Sequence, residues 1–211
     1  MQILFRPLSG KPDLAPWLKR ETWEATRPRE ERLVRENAFT GSVGREPSGE
    51  PIPAGLHRAL AEVVFSYRAF PESLVTPNLL RSPLDSGDTV GTQYHLFPGI
   101  DLFFASRVLE TFDAPQDGIW RTGFTYTTIV EHPVMGSETF SVEKNLATGD
   151  ITVALRSWSQ PITRLARCFA IPCRILQARA GRAAVERLRK LAEEFRGSPN
   201  DASTIRLGTQ S

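Results

Sequence analysis

With two cysteines and three histidines in 211 residues, the chain has little material for a disulfide framework or a metal centre. Cys168 and Cys173 lie five apart in a stretch that reads as helix. Five residues are about 500° of helical rotation, so the two thiols point to different faces and are expected to be free and buried. Neither a metal nor a cofactor is expected. No apolar run approaches the roughly 18 residues that a membrane span needs. The opening Met1-Gln2-Ile3-Leu4-Phe5-Arg6-Pro7 breaks off too soon for a signal-peptide core. A cytoplasmic protein is therefore the default expectation. The chain also lacks a P-loop, a G-x-G-x-x-G, a G-x-S-x-G and any metal-ligand spacing, so no particular reaction is indicated and catalytic residues stay unassigned. Asp85-Ser86-Gly87 matches the aspartic-protease tripeptide, but those enzymes need two such aspartates in one site. Here the tripeptide occurs once, among turn formers, and reads as a turn.

What is present is ordinary globular material: 40% hydrophobic and 24% charged residues, enough for one sizeable core. Charge is unevenly spread. Through residue 155 there are 15 Lys and Arg against 20 Asp and Glu, a net of −5; beyond it there are 11 against 4, a net of +7. Complementarity between a basic helix and the sheet rim, or simple solvation, is the favoured explanation. A patch for nucleic acid or an anionic membrane is the less favoured alternative.

The N-terminal fifty residues are rich in Pro, Glu and Arg and weak in period. They read as a partly ordered extension, residues 1–50, in which Asp13 opens a short helix carrying Trp17, Leu18 and Trp23. Tryptophans in so polar a segment predict docking on the protein's own core. Glu36 to Gly44 reads as a first, edge-like strand. From Gly55 to Phe70, apolar residues at spacings of three and four predict an amphipathic helix ending before Pro71. His57, near its start, reads as an exposed or capping residue. Thr89–Phe97, Leu102–Phe112, Ile119–Thr128, Ser137–Lys144 and Ile151–Trp158 alternate like strands and are joined by short turns, which makes an antiparallel meander. Ser159-Gln160-Pro161 reads as the start of one long helix, whose stripe runs from Ile162 through Leu165, Phe169, Cys173, Leu176, Ala180, Ala184, Leu188 and Leu191 to Phe195. Residues 197–211 read as a disordered tail.

The fold class predicted is α+β: a curved antiparallel sheet of five to seven strands gripping a long C-terminal helix. At Gly123-Phe124-Thr125-Tyr126, Glu131-His132-Pro133, Gly136-Ser137-Glu138-Thr139-Phe140 and Arg156-Ser157-Trp158-Ser159-Gln160-Pro161 the sequence resembles the DUF1990 family. The resemblance, strongest from Gly118 to Leu191, implies a START or Bet v 1-like helix-grip fold over residues 51–196. It also implies a pocket between sheet and helix, but no substrate.

If the hairpins centre on His132 and Ala147, then Tyr126, Glu138 and Arg156 form one row on one sheet face. Facing the helix, that row would anchor a polar group or serve acid–base chemistry; facing out, it would be a surface salt bridge. His132 itself reads as turn architecture. Three functions stay open. The first is a binder of a small hydrophobic or amphipathic ligand, with Tyr126, Glu138, Arg156, His95, Phe104, Phe124 and Phe140 as candidate contacts. The second is an enzyme using the polar members of that set. The third is an interaction module using the basic helix.

Overall fold

The computed structural model describes residues 1–5, 10–26, 30–132, 134–162 and 170–197, the last segment with side chains from Ile175 onward. Among these residues are eight strands and three α-helices. The strands are β1 (Gln2–Phe5), β2 (Arg35–Arg45), β3 (Val75–Asn78), β4 (Thr89–Phe97), β5 (Ile100–Gln116), β6 (Ile119–Thr128), β7 (Val134–Asn145) and β8 (Asp150–Pro161). The helices are α1 (Trp23–Thr26), α2 (Leu56–Phe65) and α3 (Ala170–Gly197). All strands belong to one antiparallel sheet in the order β2-β8-β7-β6-β5-β4-β3, with β1 paired to the start of β5. The meander from β4 to β8 is the one the alternation predicts. At four residues each, β1 and β3 are too short to carry a periodic signal of their own.

Helix α3 crosses the concave face of this sheet, so the architecture is a helix grip. Ala184, Leu188 and Ala192 are fully buried on it, in one core with Val153 and Leu155 of β8 and Leu60 and Val64 of α2. Two glycines let helix and edge strand touch. A Cβ added at Gly181 would lie 2.3 Å from the Phe39 ring, and one at Gly41 would lie 2.6 Å from Val185. Gly181→Ala should therefore destabilise by about 1–2 kcal/mol through overpacking, despite alanine's better helix propensity. Urea unfolding of the two proteins measures it; an unchanged or raised midpoint would contradict this packing.

The N-terminal segment covers the opposite face. Trp17 is 1% exposed and meets Phe103 edge-on at 6.0 Å, within a second small core with Leu4, Leu14, Ala105 and Ile129. Arg107 donates to the carbonyls of Trp17 and Leu18 at 3.3 and 2.8 Å. The tryptophan docks on the protein's own core, as its polar surroundings predict.

Four expectations are corrected. Helix α2 ends at Phe65, not at Phe70, because Tyr67 takes a left-handed backbone (φ 54°). The apolar spacing runs on past the helix because Tyr67 and Phe70 still enter the same core, at 3% and 7% exposure. His57 is completely buried rather than exposed, its Nε2 3.2 Å from the Val142 carbonyl. Burial first, and then the Arg58 charge, lowers its pKa to about 4. The long helix does not start at Pro161: β8 continues there because Ser159–Pro161 pair with Val134–Gly136. Leu165, Cys168 and Phe169 lie outside the described residues, as do the Cys173 side chain and the tail from 198 onward.

The fourth correction concerns register. The β7–β8 hairpin pairs Glu138 with Ser157 and Thr139 with Arg156, one residue away from the expected alignment. Its loop is Leu146–Gly149. Asn145 Oδ1 accepts the N–H groups of Ala147 and Thr148 at 2.9 and 3.0 Å, and Gly149 takes φ 78°. That side-chain turn fixes an even-numbered loop, so the hairpin cannot centre on Ala147.

Candidate functional site

Where the amino-terminal part of α3 passes over β4 to β8, the two layers leave a cavity of about 180 Å³. Leu102, Phe104, Val75, Phe70, Leu176 and Ala180 give it an apolar wall. Tyr67, Thr92, Tyr94, Tyr126 and Glu138 bring polar atoms to it. A depression of about 520 Å³ between β2 and α3, lined by Arg182, Glu186 and Arg189, is larger but more open. Ligand sites bury most of their ligand's surface, so the smaller and more enclosed space is the candidate.

The polar side of the cavity is one hydrogen-bonded series. Tyr126 stands directly opposite Glu138 in the β6–β7 hairpin, as the sequence alignment of that hairpin predicts. Its hydroxyl donates to Glu138 Oε2 at 2.6 Å. The Tyr67 hydroxyl lies 3.3 Å from that of Tyr126 and 3.2 Å from Thr92 Oγ1. Burial raises the Glu138 pKa to about 7, and the Tyr126 hydrogen bond only partly opposes the rise. Burial, and then the nearby Glu138 charge, raises both tyrosines. Glu138 therefore exchanges a proton near neutrality, whereas the phenols stay protonated. Tyr94 is 7% exposed and its hydroxyl has no hydrogen-bond partner among the described residues.

The seven candidate contacts divide three ways. Tyr126, Glu138 and Phe104 line the cavity. Phe124 and Phe140 lie beneath it in a packed aromatic floor, stacked with ring centroids 5.2 Å apart and in contact with Tyr67 and Tyr126. Arg156 and His95 are on the other face. The register of β8 turns Arg156 outward, where its Nη1 and Nη2 bond the Glu143 carboxylate at 2.6 and 3.2 Å. The expected row of three is therefore a pair. His95 bonds Asp101 Oδ1 through Nδ1 at 2.9 Å and Thr76 Oγ1 through Nε2 at 2.9 Å. None of the three residues of that relay lines the cavity described above.

His132 does hold its turn, with Nδ1 2.9 Å from the Val134 carbonyl, and it also meets Phe104 edge-on at 4.7 Å at the cavity rim. The indole of Trp23 donates to its carbonyl at 3.0 Å. Asp85-Ser86-Gly87 is a turn, in which Asp88 Oδ2 accepts the Asp85 N–H at 2.7 Å.

Sequence reasoning missed Tyr67, Thr92 and Tyr94. For the last two a signal existed. In the tight β4–β5 hairpin Phe104 pairs with Thr92, and Leu102 with Tyr94. A strand position that shares a face with Phe104 is thus even-numbered on β4, which excludes His95 and selects its neighbours.

Among the described residues no group of three or more His, Cys, Asp or Glu side chains could hold a metal ion. No described helix is long and apolar enough to cross a membrane.

A family model described as "Domain of unknown function (DUF1990)" matches residues 23–187. No curated protein matches the sequence. Among solved structures, the chain is similar to the di-domain ARO/CYC protein BexL from the BE-7585A biosynthetic pathway, at 11% identity and TM-score 0.51. That match covers 80% of this chain and 52% of the other. It is also similar to the major latex-like protein 151 of Panax ginseng, at 13% identity and TM-score 0.48, over 77% of this chain and 98% of the other. Ara h 8.0201 matches at 11% identity and TM-score 0.46, over 76% of this chain and 99% of the other. At such identities the BexL likeness speaks for the fold alone.

Proposed function

The chain belongs to the DUF1990 family, and from that premise we propose that it binds a small hydrophobic or amphipathic molecule between sheet and α3. One observation carries the reading: an apolar cavity in which the packed core stops short, with a hydrogen-bonded carboxyl on one wall. Fully packed cores leave few voids, and an apolar cavity of about 150 Å³ takes one benzene ring. A free volume of about 180 Å³ thus suits a single ring with a short substituent rather than a long acyl chain. Ala180 faces this space from α3. Ala180→Trp should fill it and weaken the binding of single-ring aromatics at least tenfold, read by chemical-shift titration. A thermal melt establishes that the variant is folded. Unchanged binding in a folded variant would place the ligand elsewhere, and no binding by either protein would count against the reading as a whole.

A second reading rests on Glu138. A carboxyl with a pKa of about 7 in a cavity suits general acid–base work near neutrality. Glu138→Gln would then abolish turnover of a bound uncharged ligand while sparing its binding. A ligand recovered chemically unchanged after long incubation with the wild type would exclude this for that ligand.

A further inference from the structure

Glu138 differs from three acids of this protein that are paired with a cation. Glu46 holds Lys144 Nζ at 2.8 Å, Glu143 holds Arg156 Nη1 at 2.6 Å, and Asp113 holds Arg58 Nη1 at 2.6 Å. Glu138 has one hydrogen-bond partner among the described residues, the Tyr126 hydroxyl on Oε2. No described cation is paired with it, and it faces the cavity rather than the packed core. A carboxylate removed from water without a counter-charge is costly, and the site lowers that cost only when a cation or a proton arrives.

The other walls favour the same kind of guest. Rings of Tyr67, Phe70, Tyr94, Phe104 and Tyr126 border the space, and aromatic faces attract organic cations. The Tyr94 hydroxyl is a second polar atom with no partner among the described residues, on a side chain 7% exposed. It offers a further hydrogen bond to a guest but no charge.

We propose that the cavity takes a small organic ammonium: a primary or secondary amine on a ring-sized apolar body, its N–H groups bonding Glu138 and its charge held against the tyrosine and phenylalanine rings. The inference rests on the binding reading above and adds the chemical class of the ligand. A carboxylate of the same size would meet Glu138 and the negative ring faces with like charge. An alcohol would supply one hydrogen bond and no counter-charge.

The test uses three probes of one shape, benzylammonium, benzyl alcohol and benzoate, titrated at pH 8 into the full chain and into Glu138→Gln. Chemical shifts of the cavity residues are the readout. Benzylammonium is expected to bind at least tenfold more tightly than the other two. In Glu138→Gln that preference should vanish, while benzyl alcohol binds within about twofold of its wild-type affinity. Equal or tighter binding of benzyl alcohol or benzoate to the wild type overturns the ammonium assignment and leaves the small-molecule reading standing. So does a benzylammonium preference that survives Glu138→Gln. Failure of all three probes to bind overturns both.

Discussion

Lys144→Met should lower the unfolding free energy by about 3–5 kcal/mol, because it strands a buried carboxylate. Lys144 is fully buried, and its Nζ donates to Glu46 Oε2 at 2.8 Å and to the Glu50 carbonyl at 2.9 Å. Glu46 is 7% exposed and also receives the backbone N–H groups of His57 at 2.8 Å and Ile52 at 3.4 Å, so it anchors the start of α2. Burial works to raise its pKa, but the bonds from Lys144, His57 and Ile52 outweigh burial and hold it below the usual carboxylate range. A depressed carboxyl pKa contributes stability above the unfolded value of 4.5 and loses it as the pH falls further. The double variant Glu46→Gln, Lys144→Met should be more stable than Lys144→Met alone, since glutamine keeps the helix contact without the charge. Denaturant unfolding of all four proteins at pH 7 measures the cycle. A single variant within about 1 kcal/mol of wild type would mean that this pair is not buried in solution.

Glu138→Gln should do the opposite and stabilise the free protein at alkaline pH. The folded pKa of about 7 lies above the ordinary value of 4.5, so the native state holds this proton more tightly than the unfolded chain. Stability from this group is complete below about pH 4.5 and falls as the pH rises through 7. Each pH unit is worth about 1.4 kcal/mol at most, and the accessibility Glu138 keeps reduces that, so the variant should gain about 1–3 kcal/mol at pH 8 and little at pH 4. His57 and His132, both lowered to about 4, chiefly by burial, impose an opposite trend: they lose stability as the pH falls from 6.5. Taking the difference between variant and wild type cancels them. A difference that stays flat from pH 4 to 8 would show that Glu138 is as well solvated folded as unfolded.

Local pattern explains what was legible in the sequence. Alternation along β4 to β8 and the three-and-four spacing of Leu176, Ala180, Ala184 and Leu188 specify a sheet, a helix and the faces that meet. The first hairpin's register followed from its turn, and with it the Tyr126–Glu138 pair. The second register was legible in principle. Ile151, Val153 and Leu155 are all at most 1% exposed, and their shared parity already sends Arg156 to the opposite face. That alternation and a turn centred on Ala147 disagree about Arg156, and the observed register follows the alternation.

What stayed hidden depends on partners far along the chain. Glu46 and Lys144 are 98 positions apart, and His57 finds its acceptor at Val142, 85 positions away. Neither residue's own neighbourhood differs from that of a surface side chain. Tyr67 reaches the cavity only because its left-handed backbone turns the chain inward after α2. The cavity itself is a mismatch between two layers, and a mismatch leaves no periodic trace in either.

Whether the space under α3 holds a small molecule can be read from native mass spectrometry of the cell-expressed protein. An adduct of small-molecule mass is expected on the wild type, lost on denaturation and absent from a folded Ala180→Trp variant. A bare polypeptide mass for the wild type, together with cavity resonances that no single-ring aromatic perturbs, would contradict it.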